Sequence, residues 1–176
     1  MRVNDPFDAR FAFTQIELLA TVAIVCILAA TGLVAWQPLI AHAEGVKCLS
    51  HMRSLHASLV SYVQDVGHWP QEPDSDDENV DIDADWWIRE LAPYGATEEV
   101  WMCPSIKRAQ LALPENERWK IHYSPGMFGP LPSDPYKFPT QPWLIESGGM
   151  HGHGPNICFP DGSIRPLDDL MTKKSP

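Results

Sequence analysis

Four sets of residues in this chain have side chains suited to chemistry. Near the C-terminus His151-Gly-His153-Gly precedes Asp161-Gly162, and Glu146 stands five residues before the first histidine. Imidazole and carboxylate together bind divalent metals, so His151, His153 and Asp161 are candidate metal ligands. The same residues have a structural use, because Asp-Gly makes a tight turn and a His-Gly loop can hydrogen-bond across it; this is the reading adopted. No Ser or Cys nucleophile motif and no phosphate-binding glycine loop accompanies them, so no enzymatic activity is expected. A second set is the run from Gln71 to Asp85, which holds eight acids and no base and includes Asp81-x-Asp83-x-Asp85. It lacks the turn glycine and distal glutamate of an EF-hand and is read as a solvated loop; calcium is the cation it would take, and no other cofactor is expected. The third is Glu17, a lone carboxylate in an apolar run. The fourth is Cys26, Cys48, Cys103 and Cys158, which form no CxxC and no zinc-finger spacing, so a structural zinc site is not expected. With Cys26 in the apolar run, the other three allow one internal disulfide, and the spacing does not choose the pair.

The elements that must position these residues are legible from composition. With 176 residues the chain has room for one domain and an appendage. Net charge is -10, and no Lys/Arg cluster exceeds the pairs at Lys107-Arg108 and Lys173-Lys174, which argues against a nucleic-acid partner. Fifteen of the 17 prolines follow Gly67, so the C-terminal half is expected to be loop-rich with short strands. Mean hydropathy is -0.20 although Leu18 to Trp36 is a 19-residue stretch without a formal charge. Extended back to Phe13, that stretch would give about 36 Å of helix, enough to cross a bilayer core of about 30 Å. Residues 13–37 are therefore read as a transmembrane helix, with Trp36 at the interface.

After Pro38, apolar residues at Val46, Leu49, Met52, Leu55, Leu59, Tyr62, Val63 and Val66 recur every three or four positions, which predicts an amphipathic helix over 38–68 capped by Gly67. His42, His51 and His56 are expected on its exposed face. Trp86, Trp87, Ile88, Leu91 and Tyr94 predict a short helix whose aromatic stripe covers the long one; a sugar-stacking surface is the alternative use of that stripe. Residues 101–105, 120–126 and 142–149 read as strands or strand ends. Asn156–Phe159 and Ser163–Leu167 read as a hairpin around Pro160-Asp161-Gly162.

Two of these segments carry a family likeness. Ala12-Phe13-Thr14-Gln15-Ile16-Glu17-Leu18-Leu19 resembles the type IV prepilin signature G-F-T-L-I-E followed by an apolar helix, with Ala12 in place of the usual Gly and Gln15 in place of the usual Leu. The resemblance implies a leader over residues 1–12, cleavage by a membrane peptidase between Ala12 and Phe13, N-methylation of Phe13, and an assembly role for Glu17, paired with a terminal ammonium. His151, nine residues, then Asp161-Gly162, with Asn156-x-x-Phe159-x-Asp161-Gly162 inside it, resembles the C-terminal motif of a bacterial subfamily of prepilin-like proteins. The segment 47–70 and Cys103-Pro104-Ser105 match that subfamily in order and position, so the likeness spans most of the chain.

By this resemblance the fold is α+β and pilin-like: a long N-terminal helix, membrane-spanning in its first half, packed against a small antiparallel sheet in a loop-rich head over 69–176. The implied function is a structural subunit of a type II secretion pseudopilus or type IV pilus-like filament, single-pass in the bacterial inner membrane with a periplasmic head. The implied partners are prepilin peptidase and other pilin-like subunits. Two other classes are kept: a minor tip-like module that recognises secreted protein or glycan, and a membrane-tethered metalloenzyme. Coexpression with a prepilin peptidase is expected to remove 12 residues and leave N-methyl-Phe13, read by intact mass; a product that retains Met1 contradicts the assignment.

Overall fold

A computed structural model describes residues 14–73, 83–128, 134–152 and 154–172. The first element, α1 (Gln15–Val66), runs without a break for 52 residues and carries Pro38 inside it. Proline removes one ladder bond, at a cost of about 3 kcal/mol in a helix interior, yet the ladder resumes beyond it. The helix starts on a Thr14-x-x-Glu17 capping box. Glu17 N–H donates to Thr14 Oγ1 at 3.3 Å, while Thr14 N–H and hydroxyl donate to Glu17 Oε2 at 2.9 and 2.8 Å. It ends at Gly67, whose φ of 87° permits its N–H to reach the Val63 carbonyl at 2.9 Å.

The chain divides into two units, one to Ile40 and one from Ala41. In the first, Gln15–Gly32 is by length and composition apolar enough to cross a membrane, and Ile16, Leu19, Val22, Val25 and Leu28 are exposed along it. The Thr21 and Thr31 hydroxyls donate back to carbonyls of the preceding turn, so neither is an unpaired donor on this apolar segment.

The second unit is an α+β assembly on the remainder of α1. Cys48, Met52, Leu55, Leu59, Tyr62 and Val63 are buried, whereas Val46 and Val66, at the ends of the expected stripe, are exposed. Four short strands, β1 (Tyr123–Pro125), β2 (Leu144–Glu146), β3 (Asn156–Cys158) and β4 (Ile164–Pro166), form an antiparallel meander in the order β1-β2-β3-β4. Between α1 and the sheet lies an aromatic cluster centred on Trp69, 4.6 Å from Phe128 and 5.1 Å from Trp143 between ring centroids, with Trp87 beside it. Indoles bury large apolar areas, which offsets the absence of an acceptor for the Nε1–H of Trp69, Trp101 and Trp143 among the described residues.

The short aromatic helix is present as α2 (Ala84–Leu91), followed by a 3₁₀ turn that Gly95 closes at φ 94°. Trp87 and Leu91 face the core from it. The strand expected over 101–105 is absent. A 3₁₀ turn (Glu98–Trp101) leads instead into α3 (Pro104–Gln110), because proline at the first helical position gives up only an N–H that would be orphaned there anyway. The second hairpin arm ends at Pro166, where Leu167 opens a further helix, α4 (Leu167–Thr172).

Two of the three histidines expected on the surface are not free. His51 is 7% exposed and its Nδ1 lies 3.0 Å from the Met102 carbonyl; burial holds its pKa below the usual histidine range. His56 is half-buried against Trp143, with Nε2 3.1 Å from the Pro160 carbonyl in the hairpin turn. A partner carbonyl on the facing segment makes burial tolerable in both cases, and helical spacing does not reveal it. His42 is exposed.

That turn requires glycine twice over. Gly162 has φ 77°, and a β-carbon there would stand 3.2 Å from His56 Cε1. Gly162→Val is expected to lower stability by about 1 kcal/mol or more, measured by denaturant unfolding of the full chain in detergent.

Candidate functional site

The pleat of β2 determines what the candidate site contains. Leu144 and Glu146 point inward and Ile145 outward, so the alternation that buries a leucine also carries a carboxylate into the core, where Glu146 is 1% exposed. A carboxylate so placed needs donors, and it has three. Asn156, at the start of β3, gives its backbone N–H to Glu146 Oε2 at 3.1 Å and its side-chain amide to the same oxygen at 2.7 Å. The other oxygen, Oε1, lies 3.1 Å from His151 Nε2.

His151 sits in the β2–β3 loop, and the same Nε2 lies 3.5 Å from Cys103 Sγ. Cys103 is bonded to Cys48 of α1 with a Cα–Cα distance of 5.1 Å, within the usual disulfide range. The disulfide closes a 55-residue separation and so ties α1 to the segment ahead of α3. Nearby, Ser105 donates to Glu44 Oε2 at 2.8 Å and Arg108 pairs with the same carboxylate at 2.9 Å. Tyr123, paired across the sheet with Glu146, donates its hydroxyl to the Cys48 carbonyl at 3.3 Å; burial, then the Glu146 charge, pushes its pKa well up, so it stays a donor. A cleft of about 420 Å³, lined by His42, Val46, Leu49, Met150, His151 and Asn156 among others, opens beside this cluster.

The ends of the His151-x9-Asp161-Gly162 motif do different work. Among the described residues the group of metal-capable atoms containing His151 consists of Cys48, Cys103, Glu146 and His151, and Asp161 is not in it. Asp161 Oδ1 accepts the Ser163 N–H at 2.9 Å inside the β3–β4 turn, and the Ser163 hydrogen bonds hold its carboxyl below the usual range. The structure thus joins His151 to Glu146, both named from sequence, and leaves Asp161 to the turn. His153 lies outside the described residues.

The acidic run is described only at its ends, and Asp81 lies outside. Asp83 Oδ1 caps α2 by accepting from the N–H groups of Asp85 and Trp86, each at 3.0 Å, and Asp85 pairs with Lys120. Glu72 takes the Asp83 N–H and the Trp87 indole N–H. These carboxylates therefore have protein donors, and Trp87 is a core residue with the half-buried Trp86 edge-on against it. At the other end of the chain Glu17 closes the capping box, while Ala12 and Phe13 lie outside the described residues.

Sequence reasoning allowed one disulfide among Cys48, Cys103 and Cys158 without choosing the pair, and did not join the cysteines to His151 and Glu146. Cys48 and Cys103 belong to no short-spaced motif and meet only because α1 and the α3 segment share a core. Cys158, which spacing alone left as an equal candidate, is a buried free thiol on β3 whose pKa burial pushes up to about 12. No family model, curated protein or solved structure matches this chain.

Chemically the cluster is a buried polar lock. One imidazole nitrogen is shared between a carboxylate and a disulfide sulfur, and the other carboxylate oxygen is pinned to the neighbouring strand. Glu146→Ala is expected to cost about 3 kcal/mol or more, because three buried donors lose their acceptor. Asp161→Asn, on the exposed turn, should cost much less. Parallel urea unfolding of the two variants checks the contrast.

Proposed function

We propose that this chain is a type IV prepilin-like subunit, a pilin or secretion pseudopilin, held in the bacterial inner membrane by its N-terminal helix with the head in the periplasm. The observation that carries the reading is α1 itself. Its first part is an exposed apolar segment led by Phe13-Thr14-Gln15-Ile16-Glu17, and its second part is the spine on which an α+β head folds. A pilin-like subunit needs both properties in one helix, since the same rod must be stored in lipid and then packed against neighbouring subunits. The Cys48–Cys103 disulfide supports an oxidising compartment for the head.

In this reading prepilin peptidase cuts between Ala12 and Phe13, and the work that follows is mechanical rather than catalytic. Before cleavage Glu17 is satisfied by Thr14. Cleavage creates a new ammonium at Phe13, next to that cap, and Glu17 then has a cationic partner on its own chain or on an adjacent subunit. A carboxylate in an apolar segment is tolerable on those terms, because the pair is buried together.

Glu17→Val tests the proposal. Insertion and cleavage should persist, since the span only becomes more apolar. Loss of a buried ion pair costs about 3–5 kcal/mol, so crosslinked multimers in membranes should fall by more than about tenfold. Thr14→Ala removes the capping box and spares the charge, and should leave the multimers largely intact. Unchanged multimers in Glu17→Val would contradict the filament reading.

A further inference from the structure

The disulfide hides a second chemistry in the cluster beneath the cleft. Cys48, Cys103, Glu146 and His151 each offer one ligand atom, and the four atoms lie within 4.8 Å of one another. We propose that this cluster is a redox-exclusive metal site: a disulfide when oxidised and, once the two sulfurs are reduced, a Cys₂-His-Glu site for zinc or a similar divalent ion.

The donor types suit a borderline-soft ion that prefers sulfur and nitrogen with an oxygen completing the tetrahedron. Metal–ligand bonds of about 2.0–2.3 Å place tetrahedral ligand atoms about 3.3–3.8 Å apart, so the observed set needs only small shifts after the sulfurs separate. His151 Nε2 already faces the common centre, being near both Glu146 Oε1 and Cys103 Sγ. Glu146 is oriented from behind, since both Asn156 donors hold Oε2 and leave Oε1 to ligate. Such outer anchoring is what fixes a ligating carboxylate. The cleft lined by His151 and Asn156 supplies the access route.

Charge and proton accounting also close. A dithiol gives two electrons and two protons to the Cys48–Cys103 bond, ending as a disulfide itself while the cysteines become thiols. The incoming ion expels both thiol protons to solvent. His151 gives up the Nε2 proton that faces Glu146 Oε1 in the oxidised cluster and takes one from solvent on Nδ1, so it ligates through Nε2 as the neutral ring with no net change in protons. Counting Glu146 as a carboxylate, two thiolates and a divalent ion add no net charge to the site, so loading does not worsen its burial. Thiolates without the ion would add two negative charges to the same core. Metal and disulfide therefore compete for the same sulfurs, and the metal ties α1 to the α3 segment as the disulfide does.

Cobalt(II) is the probe, added to the full-length chain in detergent, oxidised or reduced with a phosphine. The reduced chain should take up one equivalent, with tetrahedral d–d bands and a thiolate-to-cobalt charge-transfer band that zinc displaces, and the oxidised chain should show neither. This comparison needs no substitution and so does not depend on any variant folding. Cys48→Ser/Cys103→Ser should abolish the signal, and His151→Ala and Glu146→Gln should each weaken binding by about tenfold or more. Equal cobalt spectra before and after reduction, or persistence of the signal in the double serine variant, would overturn the proposal. Wild-type affinity in both the His151 and Glu146 variants would reduce the site to a bare dithiol and overturn it as well.

Discussion

A helix with one dry face has to find a cover for it, and the face formed by Cys48, Met52, Leu55, Leu59, Tyr62 and Val63 sets the terms for the rest of the head. Four strands of three residues each offer little sheet area by themselves, and short strands need a packing partner to persist. They gain it through Trp69, Trp87, Trp101 and Trp143, whose indoles fill the space beside α1 that such strands cannot cover alone. The bonds from distant segments that fasten the cover include the Cys103 disulfide to Cys48 and the hydrogen bonds of the Met102 carbonyl with His51, the Pro160 carbonyl with His56, and Tyr94 with Asp65 at 2.8 Å. Each brings one loop to one turn of α1, which is how a proline-rich segment acquires a defined course.

Within that cover the costly element is Glu146. Desolvating a carboxylate is unfavourable unless its oxygens are hydrogen-bonded, and its two oxygens draw on two different parts of the β2–β3 connection. Asn156 holds one from the start of β3 and His151 holds the other from the loop. The loop is thereby anchored at the bottom of the cleft, with Gly148 and Gly152 at φ 99° and 80° letting it turn on either side of His151. Asp161 meets a milder demand: an exposed carboxylate closing a turn. The C-terminal motif is therefore two separate devices on consecutive connections of the same meander.

Glu17 poses the same problem in the apolar first part of α1. In an apolar segment a lone carboxylate is expensive, and the Thr14 hydroxyl and N–H relieve it locally while the helix N-terminus favours its charge. Local relief is compatible with the ionic partner of the proposed filament, because the Thr14 hydrogen bonds both go to one oxygen, Oε2.

Several features needed nothing beyond the order of residues. The apolar block before Trp36, the 3.6-residue period after Pro38, the Asp-Gly turn and the clustering of prolines after Gly67 each state a local preference, and local preferences are set by neighbours in the chain. The burial of His51 was decided by packing against a segment far away in sequence, the one that carries the Met102 carbonyl. So was the candidate site. Cys48, Cys103, Glu146 and His151 lie on α1, before α3, on β2 and on the following loop, with spacings that match no short motif. Side-chain type along the chain shows which groups can ligate or bond; only the closing of the sheet over the helix brings them within reach, because the free energy that holds them together is the apolar burial around them.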